Sequence, residues 1–299
     1  MSTPLLEQLN FVQEIVNRIE NHLTEQIDIV KLAHSFRISP WHFQRLFKSW
    51  VGDTLGGYIR GRRLTRGAEL LLQSERGIID IAFEVGFNSH EAFSRSFKSY
   101  FSFTPKAFRR LRPAVSLSYK PILSLDLMQH MAKDISRQPQ IFERPAMDVV
   151  GLTCPIPSPF TQPESHCDTM YPTWMELLQR SGEIPHKLPD TFLGMSISAS
   201  GNFTEDELHF LAGIPVEAYE SLPEGMSHFH FPAQRIACFD VAVLDSDTVS
   251  NTMDYIYGYW LPNSAYRRAQ GHDYEYFVDV QHFQAPEMGS QYILPIEDK

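Results

Sequence analysis

Two stretches of the sequence, SPWHFQRLFK at residues 39–48 and SHEAFSRSFK at residues 89–98, are nearly the same. At an offset of 50 a serine, a phenylalanine, an arginine and a Phe-Lys pair coincide, and Thr54 and Thr104 extend the match. Each copy follows a short apolar segment and a tight turn, and each opens with a serine, which suits a helix N-cap. The pattern predicts a helix-turn-helix that is written twice.

The second helix of each copy has one polar face, because its polar residues recur at steps of three and four. This face comprises Trp41, Gln44, Arg45 and Lys48 in the first copy and Glu91, Ser94, Arg95 and Lys98 in the second. The phenylalanines lie opposite and predict the core side. A major groove of DNA admits one α-helix, and Arg and Gln side chains can make paired hydrogen bonds to base edges. Two matched faces favour DNA reading over two amphipathic helices with solvated charges.

Charge is divided unevenly along the chain, although the net value is -10. Residues 1–113 carry 16 basic and 11 acidic side chains, a balance of +5, and the remainder carries 10 basic and 25 acidic ones, a balance of -15. A basic part joined to an acidic one indicates a polyanionic partner for the first part only. The break follows Arg112, where Pro113 ends the helical pattern.

Several classes of protein are disfavoured by what the sequence lacks. It has no apolar run long enough to span a membrane and no basic head with an apolar stretch that would indicate secretion, so a cytoplasmic protein is expected. Cys154, Cys167 and Cys238 form no CxxC pair and are expected to be reduced thiols. His228 and His230 alternate on a predicted strand without a carboxylate at matching spacing, so neither a metal site nor a cofactor is predicted.

The acidic part also repeats itself. ERPAMDVVGLT from residue 143 recurs as HFPAQRIACFD from residue 230, an offset of 87, and GIPVE at residues 213–217 is echoed by LPIE at residues 294–297. Between these landmarks each copy offers an aromatic-rich helix followed by alternating segments that suit strands. The order predicts a strand, a helix and two strands, repeated once.

Residues 8–112 resemble the AraC/XylS-type DNA-binding domain, in which a long central helix joins two helix-turn-helix units. The signature is IDIAFEVGFNSHEAFSRSFKSYFSFTPKAFRR. The resemblance implies that base edges or neighbouring phosphates are faced by Trp41, Gln44 and Arg45 in one unit and by His90, Glu91, Ser94 and Arg95 in the other. A second set would mostly contact the DNA backbone, namely Lys48, Lys98, Arg60, Arg62 and Arg63.

Two residues depart from the pattern of that family. Glu91 puts a negative charge where phosphates would lie, so it must accept a hydrogen bond from a cytosine amino group or turn away. Arg37 stands where the family often has glycine in the turn, and Gly86 fills the equivalent place in the second unit. The first turn is therefore expected to carry about 1 kcal/mol of left-handed strain.

The acidic part resembles the GyrI-like effector-binding domain, a pair of units that face each other across a pseudo-twofold cleft. The segment GYWLPNSAYRRAQGHDYEYFVDV carries the resemblance, which implies a ligand-binding glutamate at Glu275. Alternation puts Glu275 and Phe277 on one face of the strand. Trp174, Tyr257 and Trp260 are the candidate rings beside them. A carboxylate among rings suits a cation, whereas an exposed strand carboxylate is the competing interpretation.

Together these observations predict two domains, an all-α double helix-turn-helix and an α+β GyrI-like domain of two strand-helix-strand-strand units. The expected boundaries are residues 1–113, a connector at 114–138, and residues 139–299. The order resembles Rob-type members of the AraC/XylS family and predicts a transcription regulator that binds double-stranded DNA and a small effector, with RNA polymerase as a further candidate partner. The alternatives are a GyrI-like hydrolase, for which the sequence shows no nucleophile elbow or phosphate loop, and a ligand-free protein-binding module.

Overall fold

The structure, a computed structural model, describes residues 3–113, 119–157, 166–198, 208–242, 246–278 and 290–299. The chain forms two compact units, of which the first comprises residues 1–132 and 253–264 and the second residues 133–252 and 265–299. Within the described ranges, no helix is long and apolar enough to cross a membrane.

The first unit is helical and contains the predicted repeat. Its helices are α1 (Thr3–Asn21), α2 (Ile29–Ser35), α3 (Pro40–Val51), α4 (Leu55–Gln73), α5 (Ile78–Glu84), α6 (His90–Phe101), α7 (Pro105–Leu111) and α8 (Leu125–Lys133). The N-caps repeat at an offset of 50, because the hydroxyls of Ser39 and Ser89 accept from backbone N–H groups at the starts of α3 and α6, and Thr54 and Thr104 do the same for α4 and α7. The double helix-turn-helix prediction is confirmed.

The turns of the two copies are also equivalent. Arg37 has φ 59° and Gly86 has φ 83°, so both turns pass through the left-handed region, as the sequence predicts. Gly52 and Ser102, fifty residues apart, end α3 and α6 with φ values of 77° and 65°. Two non-glycine residues therefore adopt a backbone conformation that glycine adopts with little cost.

The cores of the two copies pack in the same way around the central helix α4. Phe47 meets Tyr58 edge to face with ring centroids 5.6 Å apart, and Phe97 meets Phe108 edge to face at 5.1 Å, again fifty residues further on. All four rings are fully buried. The apolar faces predicted from the period therefore hold α3 and α6 in place and leave their polar faces outside.

The first unit extends beyond the repeat. Tyr119 to Lys133 lie within the predicted connector, and its described part includes Leu123 and Met128, which are buried. The unit is completed by residues 253–264, which include the end of α10 (Ser246–Tyr255), a π-helical turn (Ile256–Trp260) and the short α11 (Leu261–Asn263). A segment far along the chain thus folds with the N-terminal helices.

The second unit is an antiparallel sheet with helices. Its strands are β1 (Gln140–Arg144), β2 (Met147–Ile156), β3 (Thr191–Ile197), β4 (Leu208–Val216), β5 (Ser227–Phe231), β6 (Gln234–Val241), β7 (Tyr266–Arg268), β8 (Tyr274–Val278) and β9 (Ser290–Asp298), and α9 (His166–Arg180) follows β2. The strand order is β1-β6-β9-β8-β3-β4-β2-β5, with β7 paired to β9.

The sheet confirms the repeated strand, helix, strand, strand order. One copy is β2, α9, β3 and β4, and the other is β6, α10, β8 and β9. The preceding strands β1 and β5 are also 87 residues apart, and each pairs with the other copy, β1 with β6 and β5 with β2. The copies join through β3 and β8, which pair antiparallel at the centre of the sheet. This centre positions the residues discussed below.

Candidate nucleic-acid interface and ligand site

The polar face of α3 is exposed as the period predicts. Trp41, Gln44, Arg45 and Lys48 all lie on the surface, and Trp41 is 67% exposed, although large apolar side chains are normally buried. The guanidinium carbon of Arg45 lies 4.6 Å from the ring centroid of Trp41. This cation–π contact holds the guanidinium against a flat surface, so part of its rotational freedom is already lost before any ligand arrives.

The equivalent face of α6 is exposed too. Arg95 and Lys98 lie on the surface, and the Nε2 atom of the His90 ring is 3.3 Å from the hydroxyl of Ser94. Glu91 turns back onto the start of its own helix. Its own backbone N–H and the Ser89 hydroxyl, followed by His90 and Arg95, lower the pKa of this carboxyl. Of the two expectations for Glu91, the structure has the one in which the charge turns away.

The central helix α4 corrects the role predicted for Arg62. Its Nε and Nη2 atoms donate to the Glu20 carboxylate at 3.0–3.2 Å, and its Nη1 atom donates to the Lys120 carbonyl at 2.7 Å. The Tyr58 hydroxyl donates to the same carboxylate at 2.6 Å. The Arg62 side chain is only 12% exposed. Its guanidinium is therefore engaged inside the protein, which argues against the phosphate contact predicted for it.

Arg63 needs the same correction. Its three nitrogens donate to the carbonyls of Leu23, Gly86 and Glu25 at 2.8, 2.9 and 2.5 Å. Burial lowers the pKa of this guanidinium from its ordinary value. Of the three arginines predicted on α4, Arg60 is the exposed one, and its contact with the DNA backbone stays a prediction.

A buried ion pair lies near the start of α4. The Lys120 ammonium, in a side chain that is 2% exposed, donates to the Asp53 carboxylate at 2.6 Å and to the Gly258 carbonyl at 2.8 Å. It also lies 4.0 Å from the Tyr259 ring centroid. The Lys120 stem passes over Gly61, where a Cβ would come within 3.1 Å of it. Three separate parts of the chain therefore meet at this one ammonium.

In the second unit, Glu275 lies at the centre of the sheet. It stands opposite Gly194 of β3 on one side and Tyr292 of β9 on the other. Burial raises the pKa of its carboxyl to about 7. Among the described residues, its side chain has neither a hydrogen bond nor an ion pair. A partly buried carboxyl with no partner is costly, and a bound cation would remove that cost.

Aromatic rings close over the same face of the sheet. Trp174 of α9 meets Phe277 edge to face at 5.6 Å and Phe210 at 6.0 Å. A Cβ on Gly194 would lie 3.2 Å from atoms of both the Trp174 and the Phe210 rings. Because Gly194 is directly opposite Glu275, the rings lie beside the carboxyl on one face. Tyr274 packs on the opposite face of the sheet with a core group that includes Phe231 and Ile293, as alternation predicts.

The register also explains why a glycine stands at this point. Val149 pairs with Pro215 and Ile236 with Pro295, so the two prolines occupy equivalent positions in the two copies. Ala212 and Tyr292, three residues before these prolines, are therefore equivalent, and they pair with Gly194 and Glu275 respectively. Gly194 and Glu275 are thus equivalent as well, and they pair with each other. The pseudo-twofold axis therefore passes between them. One copy supplies a carboxyl at the axis, and the other supplies the space for it.

Two of the five predicted effector residues, Tyr257 and Trp260, are not on the sheet or on α9. They lie on the π-helical turn, which is grouped with the first unit, and their part in ligand binding stays a prediction. Within the second unit, the site is described by Glu275, Phe277 and Trp174. Gly194 and Tyr292 were not predicted for it. Both enter through strand register, and the Tyr292 hydroxyl is already used, because it donates to Asp273 at 3.0 Å.

A further polar cluster lies on β2 and β5. The same Asp148 oxygen is 2.8 Å from His228 Nε2 and 2.9 Å from His230 Nδ1, and the Tyr219 ring stacks on His228 at 3.9 Å. Hydrogen bonds from His230 and His228 lower the pKa of Asp148. No three His, Cys, Asp or Glu side chains in the described ranges are arranged to hold a metal ion.

Two repeated helices with exposed polar faces and a sheet of two equivalent copies define a helix-turn-helix protein joined to an α+β domain. Comparison with known families agrees. Residues 137–296, more than half of the chain, match the GyrI-like small molecule binding domain, and residues 32–111 match a helix-turn-helix domain. The chain belongs to the GyrI-like family and carries an AraC-type helix-turn-helix module.

Individual relatives match the N-terminal part. The chain is 35% identical over 120 residues to the transcriptional regulator Rob of Salmonella typhimurium, which is 40% of this chain and 42% of that protein. It is 42% identical over 102 residues to the probable transcription factor PqrA of Proteus vulgaris, covering 33% of this chain and 84% of that one. An AraC-type regulator structure from Chromobacterium violaceum aligns with a TM-score of 0.32 and 30% identity over 34% of this chain and 90% of that one. The chain thus spans about two fifths of the Rob protein that it matches.

Proposed function

We propose that this chain is a transcription regulator that reads duplex DNA with α3 and α6 and binds a small organic cation at Glu275. The DNA part is supported by the two matched faces, which combine exposed basic and hydrogen-bonding side chains with cores that pack alike. The ligand part is supported by one observation above all. The Glu275 carboxyl is desolvated, has no partner in the described part of the chain, and lies on a face lined by Trp174 and Phe277.

The DNA contacts divide into two kinds. Trp41, Gln44 and Arg45 of α3 and His90, Ser94 and Arg95 of α6 would face base edges, where Arg and Gln distinguish guanine and adenine. Lys48, Lys98 and Arg60 would neutralise phosphates, which positions the protein but carries no sequence information. Binding should therefore weaken with salt, with a log–log slope of about -0.9 for each phosphate neutralised.

The ligand class follows from charge and shape. An ionised Glu275 attracts a cation, and aromatic faces attract the same charge through their quadrupoles. A neutral ligand of the same shape would gain the apolar contact but would leave the carboxylate unpaired. Selectivity for the cation over its neutral isostere is thus the property that distinguishes this site from an ordinary apolar cleft.

The test uses the full chain and benzyltrimethylammonium, with its neutral carbon isostere as the second probe. Titration calorimetry should show that the cation binds and the isostere binds more weakly. Glu275→Gln keeps the shape and removes the charge, so cation affinity should fall by about 1–3 kcal/mol. Glu217→Gln, which removes an exposed carboxylate after β4, is the matched control and should bind as the unmodified chain does.

The alternatives give different results in the same experiment. Equal affinity for the cation and its isostere, unaffected by Glu275→Gln, would contradict the proposed site. Turnover of a bound ester or amide analogue would support the hydrolase instead. Absence of any small-molecule binding, together with capture of a protein partner by the second unit, would support the protein-binding module. DNA affinity measured with and without saturating cation then shows whether binding is coupled to regulation.

A further inference from the structure

The guanidinium of Arg63 lies where the two helix-turn-helix copies approach each other. Its Nε, Nη1 and Nη2 atoms donate to the carbonyls of Leu23, Gly86 and Glu25, so the guanidinium is engaged within the protein. Leu23 and Glu25 belong to the link between α1 and α2, which leads into the first helix-turn-helix copy. Gly86 lies in the turn of the second copy. A guanidinium holds its donors in one rigid plane, so these carbonyls are fixed relative to each other.

Gly86 makes this contact possible. A Cβ at this position would lie 2.9 Å from the Arg63 Cζ atom and 2.9 Å from the Thr24 carbonyl oxygen. The equivalent residue in the first helix-turn-helix copy, Arg37, has the same left-handed backbone, yet its side chain is exposed. Both turns require φ > 0, but only the second requires the absence of a side chain. The repeat is therefore broken at the point where Arg63 docks.

The surroundings of Arg63 make its hydrogen bonds important. A cavity of about 280 Å³ lies beside it, lined by Ile59, Phe83, Phe87 and Asn88 among others. Apolar packing therefore does not fill this part of the space between the two helix-turn-helix copies. At this point directional hydrogen bonds to backbone carbonyls, which cannot slide as apolar contacts can, add to the apolar packing on α4 in fixing one helix-turn-helix copy against the other.

We infer that Arg63 is a positioning residue that sets the separation and rotation of α3 and α6, and thereby the spacing of the two DNA blocks that the chain accepts. This inference rests on the proposed reading of DNA by both helices. Successive major-groove faces recur about every 10–10.5 base pairs, so one added base pair rotates a block by roughly 34° about the duplex. A rigid junction cannot follow that rotation, whereas a loosened one can.

The experiment compares spacing selectivity between variants of the full chain. Duplexes selected by the unmodified chain are remade with one base pair inserted or deleted between the two blocks, and Kd is measured by fluorescence anisotropy. The unmodified chain should lose about tenfold or more in affinity for either altered spacing. For Arg63→Met the loss should shrink to less than about threefold. Arg66→Met removes an exposed arginine of the same helix and should keep the full selectivity.

Arg63→Lys keeps the charge but cannot hold three carbonyls in one plane, so it should lose spacing selectivity as Arg63→Met does. It is also the second variant if Arg63→Met does not fold. Retained selectivity in a folded Arg63 variant, with only a lower melting temperature, would overturn the inference and make the residue merely structural. So would a selected motif with a single block. A chain that selects no motif at all would instead contradict the proposed function.

Discussion

At the scale of single residues, the two copies of the helix-turn-helix differ most in how they make the same left-handed turn. Arg37 and Gly86 share the backbone conformation, with φ values of 59° and 83°. Left-handed backbone costs an ordinary L-residue about 1–2 kcal/mol, because Cβ approaches the carbonyl oxygen. Arg37 therefore stores strain that Gly86 avoids, and its side chain is exposed.

Replacing Arg37 by glycine should stabilise the protein. We expect Arg37→Gly to raise the free energy of unfolding of the first unit by about 1 kcal/mol, measured by urea unfolding of the full chain. Gly86→Ala should do the opposite, because a Cβ there meets Arg63 and the Thr24 carbonyl at 2.9 Å. A loss of stability in Arg37→Gly would show that the arginine makes a contact worth more than the strain.

Glu275 gives a pH dependence whose sign can be worked out. Burial raises its folded pKa to about 7 from an ordinary 4.5, so its contribution to stability is present below about pH 4.5 and is lost as pH rises through about 7. Cation binding needs the ionised form and runs the other way, with affinity rising about tenfold between pH 6 and pH 8. Calorimetry of benzyltrimethylammonium at both pH values tests this, and Glu275→Gln should bind without that rise.

At the scale of secondary-structure elements, the exposed faces of α3 and α6 follow directly from the sequence. Helical period alone separates Arg45 from Phe43, because the two residues project from different sides of the helix. The same argument failed for Arg62 and Arg63. Their partners, Glu20 and the carbonyl of Gly86, are 42 and 23 residues away, and no pattern on α4 itself reveals them.

Arg45 of α3 and Lys98 of α6 should contribute differently to base reading and to contact with the DNA backbone. Arg45→Ala should cost about 1–3 kcal/mol on the preferred duplex and relax selectivity at one base position, because an arginine can bond guanine with two hydrogen bonds. Lys98→Ala should weaken binding to all sequences alike and lower the salt slope by about 1. Anisotropy titrations on preferred and scrambled duplexes at several salt concentrations separate the two. Equal losses on both duplexes for Arg45→Ala would identify it as a phosphate contact.

The sheet element at the candidate ligand site was only partly predictable. Alternation puts Glu275 and Phe277 on one face, and the ring contact between Phe277 and Trp174 is consistent with that. Strand register was not readable from the sequence, so Gly194 and Tyr292 could not be placed beside the carboxyl. The repeat does contain the signal, because the two equivalent prolines align the copies. Locating the axis from them required the pairing of β3 with β8.

At the scale of the whole molecule, the first unit is not confined to the N-terminal third of the sequence. Lys120 joins Asp53 to the Gly258 carbonyl, and the Tyr259 hydroxyl donates to the Pro121 carbonyl at 2.8 Å. A side chain at Gly258 would collide with Pro121. Composition divides the chain near Pro113, but contacts between distant residues decide which segments fold together, and composition does not contain that information.

Breaking this buried pair should be costly. Burial lowers the Lys120 pKa and Asp53 opposes that shift, so each charge depends on the other. Lys120→Met leaves the Asp53 carboxylate buried without its partner and should reduce the free energy of unfolding by about 3–5 kcal/mol. Combining it with Asp53→Asn should restore part of the loss. Lys31→Met, at an exposed lysine, should change little, and thermal melts of the full chain compare them all.

The central claim is that one chain reads DNA with two recognition helices as a single asymmetric site. Selection from random duplex DNA with the full chain, followed by footprinting and a stoichiometry titration, tests this most directly. We predict two different sequence blocks about one helical turn apart, protected by one chain per duplex and without twofold symmetry. Enrichment of no sequence, or of a palindrome bound by two chains, would contradict the claim.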